Sequence, residues 1–305
     1  MLVVHTRAIL AGTLILIVIS VMAGTASAQS EVIELGSSDE NTPATSSVPL
    51  VTSVSPDTVF TKTTDSTRQK ELETLYQALI EDYGVKARQF GLSRAQWQSV
   101  QTLRALEEAV LATNAVMTAR TRTLITYFEL LLEVLENTRG IELTLKQSRA
   151  ATLTARIEWL RQHQEQLAQA VDRDGVNQKA DEFSAEAEVI VVEAEQALML
   201  IRLGQIQSTF DRINGLYERI LVRNTAQPGN ATQEVERKRA YVQVEILRDE
   251  IQSELSTARE SLDAKTAPRG RVQDSYPAFV GSLESPYVKI SQYLLYLEEL
   301  ARDTW

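Results

Sequence analysis

The chain contains no cysteine, and its 305 residues include only two histidines, His5 and His163. Without cysteine it can form neither a disulfide framework nor a thiolate metal site. A di-iron helical bundle requires Glu-x-x-His motifs, but Leu160 stands three residues before His163, which excludes that class. Because no nucleophile elbow occurs in the chain, we expect His163 to be a partly exposed histidine on a helix surface rather than a member of a catalytic triad.

Proline is absent between Pro56 and Pro228, and glycine is sparse over the same stretch. Proline breaks helix interiors, so its absence predicts long helices. Apolar residues recur in steps of three and four, which is typical of helices packed lengthwise. Residues 67–305 are therefore predicted to form an all-α, elongated, antiparallel and coiled-coil-like bundle of about six helices. The predicted helices span about 67–90, 93–137, 141–172, 177–223, 231–265 and 286–303.

Two helix starts carry recognisable end signals. Gly91 is expected to stop the first helix, and Ser93 and Gln96 form a capping box for the second. Ser285 is expected to cap the last helix, with Pro286 at its first position. Leu92 and Trp97 have the spacing of a hydrophobic staple around the second start.

Irregularities in the apolar pattern lead to two further predictions. The apolar phase slips at Gly204, which predicts a kink within the fourth helix. Arg120, Lys146 and Gln164 fall on otherwise apolar stripes. Polar residues at such positions indicate either a partly open bundle or a polar seam that is satisfied across helices.

Basic residues are scarce relative to acidic ones, 31 against 41, which gives a formal net charge of -10. An acidic surface repels nucleic acid and anionic lipid, so we expect no nucleic-acid partner. The chain also lacks a phosphate loop and a dinucleotide-binding fingerprint. No cofactor is therefore expected from sequence motifs.

The first 28 residues have the layout of a secretory signal peptide. Arg7 precedes an uncharged apolar stretch that ends in the small-residue pattern Ala26-Ser27-Ala28, which predicts cleavage after Ala28. The alternative is an uncleaved anchor, because residues 8–28 carry no charge, and only then would the protein contact a membrane. In either case the remainder is expected to lie outside the cytoplasm, at the cell surface, in the periplasm or in the medium.

Residues 29–66 differ from the rest of the chain in composition. They are rich in serine and threonine and are interrupted by Pro43, Pro49 and Pro56. Such a segment buries too little apolar surface to offset the entropy of ordering it. A disordered tether is therefore predicted, serving either as a stalk or as a leader left by processing.

The stretch AVDRDGVNQKAD, residues 170–181, partly matches a calcium-binding EF-hand loop. The candidate ligands are Asp172, Asp174 and Asp181. The match is incomplete, because Ala170 occupies the first ligand position and offers no side-chain oxygen. We favour an ordinary interhelical turn, in which Gly175 stops one helix and Asp174 or Asn177 caps the next.

Glutamates recur seven residues apart in the following segment, as Glu186 with Glu193 and Glu188 with Glu195. A carboxylate cluster inside a bundle is conceivable, but a solvated helix face is the preferred interpretation.

Aromatic residues make up only 6% of the chain, yet they are concentrated near its end. The candidates for an interaction surface are Tyr287, Tyr293, Tyr296 and Trp305. We favour the alternative in which these rings dock the last helix onto the bundle.

Three functions remain in view from the sequence. The preferred one is an exported, non-enzymatic helical scaffold that binds a protein partner or itself. The second is a calcium- or ligand-responsive extracytoplasmic domain, and the third is a hydrolase of envelope polymers that uses paired carboxylates. Acidic residues are abundant, but no spacing singles out a catalytic pair.

Overall fold

A computed structural model describes residues 67–225, 231–264 and 275–302. The described residues form α-helices and contain no β-strand, which confirms the all-α prediction. The helices are α1 (Thr67–Val100), α2 (Leu103–Asn137), α3 (Leu143–Gln169), α4 (Arg173–Thr225), α5 (Ala231–Ala264), α6 (Ser275–Ser282) and α7 (Glu284–Arg302). The predicted signal peptide and tether lie outside the described residues.

The first helix is ten residues longer than predicted, because it runs through Gly91 and ends at Val100. The break falls instead at Gln101, whose φ is 47°, and at Thr102, whose side-chain oxygen accepts a hydrogen bond from the Ala105 N–H. Glycine costs a helix only about 1 kcal/mol, which packing readily offsets. Leu92 is 74% exposed, so the predicted staple and capping box are wrong.

The last long helix also begins earlier than predicted. Its first residue is Glu284, so Pro286 is its third residue rather than its first. Proline is tolerated there because the N–H groups of a first turn have no intrahelical acceptor. The Ser285 hydroxyl does not cap the helix but donates a hydrogen bond to Glu254 of α5 at 3.1 Å.

Neighbouring helices pack antiparallel, as their side-chain contacts show. The Arg68 guanidinium approaches Glu133, whereas the Thr123 hydroxyl, ten residues before Glu133, donates to the carbonyl of Leu79. The same rule holds for the last helix pair, in which Lys289 binds Glu250 and Ser285 binds Glu254. Side-chain contacts also join the remaining neighbouring helices: Arg161 with Glu129 between α2 and α3, Lys179 with Gln166 between α3 and α4, and Asn224 with Tyr241 between α4 and α5.

Two apolar cores lie along the chain, and Leu198 and Leu262 pack against both of them. The first core is formed by α1, α2, α3 and the first part of α4, and it includes Phe128, Leu160 and Ile201. The second core is formed by the rest of α4 with α5, α6 and α7. The 53-residue helix α4 therefore changes partners along its length. This exchange accounts for the slip in apolar phase near Gly204, since the buried face rotates from one set of neighbours to the other.

The turn between α2 and α3 packs directly against α4 at Gly204. A Cβ atom at Gly204 would lie 2.4 Å from Ile141 Cγ1 and 2.9 Å from the carbonyl of Arg139. Gly140 faces it from the turn with φ of 78°, a conformation that favours glycine. Helix α4 continues through Gly204 without a break, and the predicted kink of its axis stays a prediction. None of the helices in the described ranges is long and apolar enough to span a membrane.

Candidate functional site

The three calcium candidates do not form one site. Asp172 precedes α4 and caps it, since its carboxylate accepts a hydrogen bond from the Gly175 N–H at 2.8 Å. Gly175 therefore lies inside the first turn of α4, and the prediction that it stops a helix is wrong. Asp181 stands further along the same helix. In the part of the chain that the structure describes, no three histidine or acidic residues are grouped closely enough to hold a metal ion.

A buried ion cluster joins α3 to α4 around Arg156. Its guanidinium donates to both oxygens of Glu193, at 2.7 and 3.2 Å, and to Glu186 at 3.0 Å. Burial tends to lower the pKa of Arg156, but the hydrogen bonds to the two glutamates outweigh it and raise the pKa. The expectation that these glutamates form a solvated face is wrong for Glu193, whose side chain is only 17% exposed, and for Glu195, which is buried. The sequence offered one clue, because Arg156 stands three residues after Leu153 and four before Leu160, on the apolar side of α3.

An aromatic and cationic cluster lies beside the ion cluster. The Arg120 guanidinium carbon lies 3.6 Å from the centre of the Phe183 ring, and burial lowers the Arg120 pKa to about 10. His163 stacks on Trp159, with ring centres 5.2 Å apart. The histidine is only 3% exposed, so the predicted surface position is wrong. Its flanking glutamines pointed to a surface, whereas its packing against Trp159 and Phe183 buries it.

His163 is held in its neutral form. Burial, reinforced by the positive charge of Arg120, lowers its pKa to about 4. Its Nε2 atom is buried and has no hydrogen-bond partner among the described residues. A buried polar atom without a partner has a free-energy cost, which a hydroxyl or water that reached this nitrogen would remove.

A cleft of about 390 Å³ opens between α3 and α4 at this cluster. Helix α3 contributes a stripe of side chains spaced by three and four residues: Trp159, Gln162, His163 and Gln166. Helix α4 contributes Glu182, Ala185 and Glu186 on the opposite wall. The cleft thus combines an indole, two amides, an imidazole and two carboxylates, which makes it the candidate binding site.

Both carboxylates of the cleft are already paired with cations. Lys179 donates to the two oxygens of Glu182 at 2.8 and 2.7 Å, and these hydrogen bonds lower the pKa of Glu182. Glu186 is paired with Arg156. A general acid for glycoside hydrolysis needs a raised pKa, and Glu182 has the opposite shift.

Two polar side chains close the ends of neighbouring helices. Lys146, which lies on an otherwise apolar stripe of α3, donates from Nζ to the carbonyls of Thr138 and Glu136 at the end of α2, in agreement with a polar seam that is satisfied across helices. Asn114 donates from its amide to the carbonyls of Leu167 and Ala170 at the end of α3. These bonds satisfy carbonyls that a helix leaves without partners, so part of the polar seam consists of caps.

The C-terminal aromatic residues divide between core and surface. Tyr293 is fully buried, packs against Phe210 with the two rings tilted, and donates from its hydroxyl to Asn214, so it docks α7 and is not an interaction surface. Tyr287 is half-buried, whereas Tyr296 is 45% exposed. Trp305 lies outside the described residues.

No protein-family model, curated protein or solved structure matches this chain. Its function therefore has to be inferred from its own surfaces. Two of these stand out: the cleft between α3 and α4 beside the first core, and an exposed apolar face on the second.

Proposed function

We infer the function of the protein from exposed apolar side chains on α5 and α7. The α5 residues Val242 and Ile246 are 51% and 49% exposed, and the α7 residues Leu295 and Tyr296 are 60% and 45% exposed. The contact of Lys289 with Glu250 fixes the antiparallel register, which places Leu295 and Tyr296 at the level of residues 243–244. The two apolar stripes therefore lie at the same level of the helix pair. We call these four residues the α5–α7 face.

We propose that the protein is an exported, non-enzymatic helical scaffold, an elongated antiparallel bundle that assembles with a second copy of itself through the α5–α7 face. The exposure of these four apolar side chains at one level of the helix pair is the observation that carries the proposal, because grouped exposed apolar side chains mark protein contacts. The signal-like residues 1–28 and the Ser/Thr-rich residues 29–66 support export and a tethered position outside the cytoplasm.

Charge favours a second copy as the occupant. Exposed Arg239 precedes the apolar stripe of α5, and exposed Glu299 follows the stripe of α7. A two-fold axis parallel to the helices places α5 of one copy against α7 of the other at the same level. In the register above Arg239 is level with residue 300, so each Arg239 then meets a Glu299 of its neighbour at one end of the apolar contact.

Light scattering coupled to gel filtration, over a wide range of protein concentration, tests this proposal. We expect the wild-type residues 29–305 to form a dimer and the Ile246→Glu variant to be monomeric with an unchanged circular-dichroism spectrum. The matched control is Leu92→Glu, which places the same charge on another exposed leucine, in α1, and should leave the dimer intact. A wild-type protein that is monomeric throughout, or a dimer that survives Ile246→Glu, would refute assembly through this face.

A further inference from the structure

The cleft between α3 and α4 has the size of a small-molecule site. Its volume of about 390 Å³ lies within the range of known ligand pockets. Its walls come from the second half of α3 and the first part of α4, two helices that Arg156 and its glutamates tie together. A site built on tied helices keeps its shape, so a ligand entering it would meet groups that are already in position.

Neither carboxylate of the cleft is without a cation. Glu182 is ion-paired with Lys179, and Glu186 is ion-paired with Arg156, which it shares with Glu193. An anionic ligand would meet carboxylates, and a cationic ligand would have to compete with cations that are already bound. The cleft therefore favours a neutral ligand.

Several polar groups of the cleft can form further hydrogen bonds. The Gln166 side-chain oxygen accepts from Lys179, which leaves its amide N–H groups for a ligand. Each carboxylate keeps lone pairs beyond those used by its cation, and both face the same space. Amide donors opposite carboxylate acceptors match a ligand whose groups both donate and accept, as hydroxyls do.

His163 supplies an independent indication of a ligand. It is 97% buried in the wall of the cleft, and its Nε2 atom has no hydrogen-bond partner in the described part of the chain. Beside it, the half-buried Trp159 ring gives the cleft an apolar surface. Sugars combine hydroxyls with apolar C–H faces, and aromatic rings next to polar groups suit such amphipathic ligands.

We propose that the cleft lined by Trp159, His163, Gln166 and Glu182 binds a neutral sugar unit of a glycan. Sugar hydroxyls would accept from Gln166, donate to Glu182 and form the missing hydrogen bond to His163, and a C–H face would contact Trp159. Sugar binding does not depend on self-association, because the cleft lies beside the first core, whereas the α5–α7 face lies on helices of the second core.

Fluorescence and NMR titration with maltotriose, cellotriose and tri-N-acetylchitotriose test this inference. In a Trp97→Phe/Trp305→Phe protein, Trp159 is the only tryptophan. We expect one of these neutral sugars to change its emission and to shift the Nε2 resonance of His163, the one histidine remaining after residue 28. Because the ligand is uncharged, the affinity should depend little on salt.

A matched pair of variants tests the location. Gln166→Ala is expected to weaken binding roughly five- to tenfold, the effect of losing one hydrogen bond. Gln252→Ala removes another exposed amide, from α5, and should leave the affinity unchanged. The inference is overturned if none of the three sugars binds, if only charged oligogalacturonate or glucosamine trimer binds, or if Gln166→Ala binds as tightly as wild type.

Discussion

Adding one methyl group at Gly204 should destabilise the protein, although the same change is favourable elsewhere in the same helix. Alanine is a better helix former than glycine by about 1 kcal/mol, so propensity alone predicts that Gly204→Ala is stabilising. The turn between α2 and α3 opposes this gain. The new Cβ would lie 2.8 Å from Thr138 Cγ2, in addition to its short distances to Ile141 and to the Arg139 carbonyl.

The magnitude follows from these distances. Real Cβ atoms do not approach other heavy atoms this closely, and one of the three neighbours is backbone, so the turn itself must move. Overpacking of this kind costs about 1–3 kcal/mol, and backbone involvement places Gly204 at the upper end. Subtracting the propensity gain of about 1 kcal/mol leaves a net destabilisation of about 2 kcal/mol.

Urea unfolding followed by far-UV circular dichroism measures the effect, with Gly215→Ala as the control. Gly215 lies in the same helix, and a Cβ there meets no atom within 4 Å, so its substitution should stabilise the protein by about 1 kcal/mol. If both substitutions stabilise the protein equally, the turn does not pack against α4 as described and the reasoning fails.

Three further perturbations probe the polar groups of the first core and the start of α4. Arg156→Met leaves the largely buried Glu193 carboxylate without its cation. The free energy of unfolding in urea should fall by about 2 kcal/mol, less than for breaking a fully buried ion pair. Asp172→Ala removes the cap of α4 and should cost about 1 kcal/mol by the same assay. His163 has a folded pKa near 4 against 6.5 unfolded, so falling pH should remove about 3 kcal/mol across that window, and His163→Phe should flatten this dependence.

Each of these perturbations has its own control. Arg161→Met breaks an exposed ion pair with Glu129 and should lower the free energy of unfolding by less than about 1 kcal/mol. An equally small loss for Arg156→Met would contradict the argument that burial makes the Arg156 ion pairs more important. Asp172→Asn keeps a capping oxygen and should behave like wild type. For His163 the sign is fixed, because the unfolded chain binds the proton more readily. Greater stability at low pH would contradict its burial in neutral form.

Helical content and approximate helix order could be predicted from the sequence, whereas helix ends could not. The absence of proline and the apolar spacing of three and four residues are properties of the helical segment itself, so they can be recognised without knowledge of its tertiary contacts. The ends are decided by competition with tertiary packing. Gly91 is a weak breaker that α1 absorbs, whereas the true break at Gln101 requires a left-handed residue that sequence statistics disfavour.

The polar residues of the first core were hard to interpret for a related reason. Glutamates spaced by seven predict a shared face, but not whether an arginine on another helix covers it. Arg156 lies thirty-seven residues before Glu193, and only the antiparallel packing of α3 on α4 brings them together. His163 was misassigned because its sequence neighbours are polar, whereas its burial depends on Phe183 of α4.

The cleft and the assembly face would act together on a polymeric ligand. Thirty-one residues of α4 separate Glu186 in the cleft from Tyr217 in the second core, or about 45 Å of helix. A trisaccharide occupies one cleft, so its binding should be independent of dimerisation through the α5–α7 face. A dimer carries two clefts, and a glycan long enough to reach both would be held by avidity. The Ile246→Glu variant should thus bind a trisaccharide like wild type but elute earlier from a column of the immobilised polysaccharide; equal retention would show that dimerisation and glycan binding are unconnected.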